Sequence, residues 1–209
     1  MAWSLVGVKS ADLRWLVSRI NNCSQFLFIG ILFLRPCLPF RFIFILIISH
    51  TEGPAIEFLK PLKQEVESNG ALRRLCPTLT PNKEKWSDAS IELYRDGVLS
   101  HKLMAMGSGK QIRGLKFLAW RPDLILIDDG ESDEMVSSDL RRLSYEDWVD
   151  KSVLHIDADN DIIFVGNIIH EQALMNRMVR KVAPEDRVKY GYIESRLYVA
   201  LDASERSTW

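Results

Sequence analysis

Cysteine is scarce in this chain. The 209 residues hold three, Cys23, Cys37 and Cys76, an odd number at no metal-binding spacing. That argues against a disulfide framework and a thiolate zinc site, and it suits a reducing cytoplasm. The four histidines, His50, His101, His155 and His170, include no i, i+4 pair, which argues against a helical zinc site as well. Neither sign of charge dominates: 27 bases against 28 acids leave a net charge of −1, and any contact with nucleic acid must come from local patches. Long apolar runs are also missing. Phe26 to Leu34 and Phe42 to Ile48 are apolar but broken by Arg35, Pro36, Pro39 and Arg41. Neither approaches the ~20 residues that span a bilayer, so no membrane partner is expected. No small-residue cleavage pattern follows them, which argues against a secretory signal. There is no internal repeat and no low-complexity segment. What remains is the composition of a globular domain, 47% apolar and 26% charged, in a length near that of one closed core.

The most informative stretch is Pro122-Asp123-Leu124-Ile125-Leu126-Ile127-Asp128-Asp129-Gly130-Glu131. Four apolar residues run directly into two carboxylates, which is how a buried parallel strand delivers acids to the carboxyl edge of a sheet. Acids placed there can hold Mg²⁺ and orient a water beside a nucleotide's phosphates, the signature of a Walker B strand. The bland alternative is a strand followed by a solvated acidic turn. A second apolar strand, Ile162 to Val165, ends in Gly166-Asn167, and Glu171 to Lys181 reads as the helix after it. Asn167 either senses a phosphate through its amide or serves as turn chemistry.

Gln111-Ile112-Arg113-Gly114-Leu115, then Arg121-Pro122-Asp123 through Asp128-Asp129, then Ile162 to Asn167 with His170 and Glu171, resembles the ATPase domain of phage terminase large subunits. Upstream, Ile47-Ile48-Ser49-His50-Thr51-Glu52, Ala55 and Phe58-Leu59 is similar to the strand and helix that follow the phosphate-loop helix of that family. The resemblance covers about residues 42 to 209. It implies an α/β fold, a P-loop NTPase-like, mostly parallel sheet flanked by helices. It also implies ATP and Mg²⁺ as cofactors, and double-stranded DNA, a small terminase subunit and a portal as partners. A homo-oligomeric ring in the host cytoplasm completes the implied motor, which drives DNA into a procapsid.

Two departures limit the transfer. A phosphate loop requires G-x-x-x-x-G-K-S/T, because backbone N–H groups cradle the phosphates, the lysine reaches the terminal oxygens and the hydroxyl ligates Mg²⁺. Gly107-Ser108-Gly109-Lys110 has Met104 in the first glycine's place and Gln111 in the hydroxyl's, and reads as a turn. Gly7-Val8-Lys9-Ser10 has Val8 where a glycine is needed and Ala2 in the first position. Residues 1–40 fit no family element, so the expected organisation is an atypical apolar segment followed by a partial ATPase domain at 41–209. The nuclease domain usual in the family is also missing. Together these features suggest a fragment or degenerate copy.

Within that frame, Pro54 to Ser68 has the apolar spacing of an amphipathic helix from about Gly53. Pro77 to Asn82 reads as a loop, and Ile91 to Tyr94 with Val98 to Met106 as a β-hairpin closed by Asp96-Gly97. Asp139 to Lys151 is helical, and Arg196 to Leu201 a last strand. By resemblance, Asp128 holds the metal, Asp129 is the general base with Glu131 as the alternative, Asn167 senses the γ-phosphate, and Arg113 belongs to the nucleotide site. Lys110, Arg113, Lys116 and Arg121 form one basic patch, and Arg177, Arg180, Lys181, Arg187 and Lys189 a second. Two other readings compete. One is a non-catalytic assembly or binding protein that retains the fold. The other is a nuclease using Asp128, Asp129, Asp157, Asp159 and Asp161, which requires acids on opposite sheet edges to converge.

Overall fold

A computed structural model describes residues 3–6, 43–157, 160–180 and 195–198. In chain order the elements are β1 (Trp3–Val6), β2 (Ile43–Ser49), α1 (Glu52–Ser68), α2 (Gly70–Leu75), β3 (Leu79–Trp86), β4 (Ser90–Arg95), β5 (Val98–Gly107), β6 (Leu124–Asp128), α3 (Asp133–Val136), α4 (Asp139–Trp148), a π-helical turn Val149–Val153, β7 (Asp161–Asn167), α5 (Leu174–Arg180) and β8 (Ser195–Tyr198). The strands form one mixed sheet in the order β3-β4-β5-β2-β6-β7-β1-β8. Six of them lie between residues 43 and 167.

β5, β2, β6 and β7 are mutually parallel neighbours. Their connections leave in opposite directions: β5 lies on one side of β2, whereas β7 lies beyond β6 on the other. Right-handed crossovers must then place the intervening helices on opposite faces. The cores agree. Ile45, Ile47, Leu124 and Leu126 pack with Ala55, Phe58, Leu59 and Leu62 of α1. Leu46, Ile48, Ile125 and Ile127 pack with Tyr145, Val149 and Val153 on the other side. Central strands buried on both faces need apolar residues at every position, which is why β2 and β6 read as unbroken apolar runs.

The expected sheet was mostly parallel with one hairpin, and the observed one is evenly mixed. The turn at Asp96 (φ 54°) and Gly97 (φ 76°) closes the hairpin as its sequence predicts. The difference is β3, which pairs antiparallel with β4 where a loop was expected at 77–82. Pro81 is tolerated because β3 is an outer strand, where one proline N–H need not join a ladder. Its register shift between Pro81 and Trp86, together with Lys83, Glu84 and Lys85, discourages edge-to-edge pairing with other chains. On the far side, β1 runs antiparallel to β7, with Trp3 opposite Asn167 and Val6 opposite Phe164.

The N-terminal ends of the parallel strands are knitted by one acid. Asp123, 6% exposed, accepts a hydrogen bond at Oδ2 from the Phe44 N–H at 2.9 Å. Its own N–H donates to Phe44 O and its carbonyl accepts from the Asp161 N–H, both at 2.9 Å. A single residue thereby ties β2, β6 and β7 in register. Among the described residues, no helix is long and apolar enough to cross a membrane.

Candidate functional site

Parallel strands end together, so β2, β6 and β7 bring Ser49-His50, Asp128-Asp129 and Gly166-Asn167 to one rim. The helices after β2 and β6 pass to opposite faces, which leaves a crevice between these strand ends, the usual binding position in open α/β sheets. Asp129 sits at its centre with φ 44°, a left-handed conformation that aspartate tolerates better than most residues. Its N–H donates to Val165 O at 2.9 Å, and its carbonyl accepts from the His50 N–H at 3.2 Å. Its Oδ1 accepts from the Asn167 N–H at 3.3 Å. The aspartate pair and the asparagine turn therefore meet on a common rim.

Asp128 differs from its neighbour. Burial, and secondarily the charge of Asp129, push its carboxyl up to about 6. Its side chain finds no hydrogen-bond partner among the described residues. A desolvated, unpartnered carboxylate beside a second acid is a group that a cation would relieve. It suits Mg²⁺, which commonly takes one or two protein carboxylates and completes its octahedron with water or phosphate.

Glu131 corrects an expectation. Following Gly130, it looked free to swing as an alternative base. Instead its Oε1 and Oε2 accept the Leu174 and Met175 N–H groups at 3.0 and 3.1 Å, capping α5. The cap satisfies donors that a helix start leaves free and places negative charge at the positive end of the helix. Burial raises its carboxyl above the ordinary range, and the two backbone bonds partly oppose that rise. A general base must be free to accept a proton, and this carboxylate is already occupied.

No motif marks Tyr145. Fully inside the core, its phenol is pushed up by burial and then by Glu131. The hydroxyl lies over Gly130, where a Cβ would come within 2.3 Å of Tyr145 Oη and 2.5 Å of Ile127 Cγ2. Gly130 is thus required for close approach. Its conformation alone would admit other residues. Asp129, Glu131, Tyr145, Asn167 and Met175 line a cavity of about 20 Å³. Asn167 Oδ1 is buried there without a partner. That volume and polarity suit one water. A cavity sized for a triphosphate, expected from the motif, is not what these residues enclose.

Arg113 does not line this cavity. Its guanidinium bonds Lys151 O, through Nε at 3.0 Å and through Nη2. Lys110 pairs with Glu52, and its carbonyl accepts from Trp148 Nε1 at 2.8 Å, so Gly107 to Lys110 is a turn at the end of β5, as its sequence suggested. In the second basic patch, Arg177 pairs with Glu146, while Lys181, Arg187 and Lys189 lie outside the described residues. His170 Nδ1 accepts the Gln172 N–H at 3.0 Å, a capping role.

The two-metal nuclease cluster fails geometrically. Asp161 pairs with Leu124 at the start of β7 and Asp128 with Val165 near its end, about 13 Å apart at strand rise. Asp159 lies outside the described residues. Among the described residues no group of three or more His, Cys, Asp or Glu side chains is placed to hold a metal. No family model matches the chain and no curated protein matches it.

Proposed function

We propose that this chain is a degenerate copy of the ATPase domain of a viral DNA-packaging terminase large subunit, one that keeps the Mg²⁺-facing acids and has lost ATP turnover. The observation that carries this reading is the rim itself: adjacent parallel strands deliver Asp128, Asp129 and Asn167 to one crevice, with the Asp129 carboxylate bonded to the Asn167 N–H. Asp128 is the metal-facing acid, Asp129 positions the asparagine turn, and Glu131 joins the acidic loop to α5. Arg113 braces the π-helical turn in this reading.

ATP itself fits these residues poorly. A phosphate loop follows the carboxyl end of a strand and opens a helix, so its strand must run parallel to the others. The strand beside β7 on that side is β1, which is antiparallel, and its Val6 end lies toward the rim opposite Asp128. Gly7, Val8, Lys9 and Ser10 themselves lie outside the described residues. The remaining acids repel a triphosphate when no backbone cradle or lysine offsets them. Should a partner chain supply the cradle, double-stranded DNA, portal and small subunit remain the partners of this reading.

The test is a titration of the purified chain with Mg²⁺ alone and with Mg²⁺ plus ATP, followed by phosphate release. Weak Mg²⁺ binding that Asp128→Ala removes, with no ATP turnover, is the expected result. Mg²⁺-dependent turnover abolished by Asp128→Ala would refute the loss of activity. An Asp128 that ignores Mg²⁺ altogether would favour the alternative, an assembly protein that retains only the fold.

A further inference from the structure

Two glycines, one just after β6 and one near the end of β7, keep open the small cavity behind the acidic rim. A Cβ on Gly130 would meet Tyr145 Oη at 2.3 Å, and one on Gly166 would come within 3.0 Å of Asp129 Oδ1 and 3.6 Å of Met175 Cε. Two polar groups in the lining have no hydrogen-bond partner among the described residues. One is Asn167 Oδ1. The other is the hydroxyl of Tyr145, a residue only 5% exposed, which lies over Gly130 inside the cavity. Two orphaned oxygens from different elements, α4 and β7, thus converge on a space that glycine on both strands leaves free.

These oxygens, and the charge around them, favour a positive occupant. Asn167 Oδ1 and the carboxylates of Asp129 and Glu131 can only accept, and Tyr145 Oη alone among the four groups carries a proton. No base lines the cavity. Asp128, whose carboxyl feels the charge of Asp129, adjoins them. The base that acts on Glu131 is Arg177, and it is itself paired with Glu146. A water would satisfy the orphaned acceptor and leave the repulsion among the acids in place, whereas a cation answers both.

Size and donor set narrow the choice. Mg²⁺ dehydrates reluctantly and keeps several waters, but the cavity, about 20 Å³, admits one water-sized group. Two acids with an amide and a phenol are also fewer charges than a divalent cage gathers; among the described residues no group of three or more His, Cys, Asp or Glu side chains is placed to hold a metal. Potassium is close to water in size and exchanges its hydration shell for neutral oxygens.

We propose that this cavity binds one potassium-sized monovalent cation, with Asn167 Oδ1, the Asp129 carboxylate and Tyr145 Oη as its oxygen ligands. Asp129 has Oδ2 to offer, since Oδ1 accepts the Asn167 N–H. Glu131, whose oxygens serve the Leu174 and Met175 amides, adds negative charge from the wall. The ion would join the asparagine turn of β7 to α4 and to the loop after β6. Asp128 does not line the cavity, so the site is separate from the Mg²⁺-facing acid and independent of the ATPase reading.

Titration of the whole chain with KCl, exchanged against choline chloride at constant ionic strength, tests it. Proton–nitrogen NMR should show the Asn167 side-chain amide shifting to saturation with potassium, and the Tm should rise with potassium but not with choline. Asn167→Ala and Tyr145→Phe each remove one oxygen ligand and leave the backbone bond from residue 167 to Asp129 in place, and circular dichroism checks that each folds. Each should weaken potassium binding at least about tenfold. Asp128→Ala should still bind potassium while losing Mg²⁺, so the two sites fail separately. Potassium and choline acting alike would mean that the cavity holds water only, and would overturn the proposal. So would Asn167→Ala or Tyr145→Phe binding potassium as wild type does, and so would loss of potassium binding in Asp128→Ala, which would place the ion at Asp128 instead.

Discussion

The same four parallel strands end in two very different rims. At the amino ends, Asp123 is buried and its carboxylate accepts the Phe44 N–H, while the backbone bonds of Phe44, Asp123 and Asp161 close the sheet. His101, also near that end on β5, is 2% exposed and held neutral, its ring pushed down to about 4 by burial and then by Arg95, with Nδ1 2.6 Å from Ser100 Oγ. At the carboxyl ends, the Asp128 side chain has no hydrogen-bond partner among the described residues, Asp129 takes a left-handed backbone and Asn167 Oδ1 is buried unbonded. Acids stand at both rims, but one rim spends them on register and the other holds them in tension. Tension of that kind is what marks a site. Asn160 breaks the pattern: it adjoins the amino rim, 1% exposed with neither amide atom bonded, and nothing in the structure explains it.

The contrast makes the two aspartates respond oppositely to mutation. Asp123→Ala strands a buried backbone donor and should destabilise the fold by about 3 kcal/mol in urea unfolding. Equal effects of Asp123→Ala and Asp128→Ala would erase the distinction. Gly130→Ala drives a methyl into Tyr145 Oη and Ile127, and should cost about 2 kcal/mol. Tyr145→Phe in the same chain should recover part of it, and no recovery would mean that the Ile127 clash alone sets the cost.

Asp128→Asn should stabilise the protein by about 2 kcal/mol at pH 7.5. The sign follows from a folded pKa raised to about 6 from 3.8. The contribution from protonation is complete below pH 3.8 and is lost as pH rises through 6, so the ionised acid opposes folding at neutrality and the amide does not. The gain should vanish near pH 4. His101 has the reverse sign. Its folded pKa lies at about 4 against 6.5, so its contribution is complete above pH 6.5 and falls away as pH drops toward 4. Wild-type stability should therefore change little between pH 6.5 and 4, and Asp128→Asn should expose a loss of about 2 kcal/mol over that window. A flat profile in the variant would contradict the His101 assignment. Smallest of all, Glu131→Gln leaves one acceptor oxygen where two now serve the start of α5, and should speed hydrogen exchange at the Leu174 or Met175 amide.

Much of this was readable from residue patterns. The doubly buried strands announced themselves as apolar runs, the Asp96-Gly97 turn predicted its hairpin, and the position of Asp128 and Asp129 after an apolar strand placed them at a carboxyl rim beside Asn167. What escaped did so for physical reasons. A proline-bearing, charged strand such as β3 is stable only as an outer member of a sheet, and local sequence does not say which strand is outermost. Pairing of Glu131 with α5 joins residues more than forty apart, as does the bond from Asp123 to Phe44, and neither leaves a periodic trace. Nothing in the helical pattern of residues 139–151 singles out Tyr145. Its meaning came from Gly130 across the core.

A carboxyl-carbon NMR titration of Asp128, with and without Mg²⁺, tests the central claim most directly. The account predicts a midpoint near 6 that moves sharply lower when Mg²⁺ is added. A midpoint in the ordinary aspartate range that ignores Mg²⁺ would contradict it.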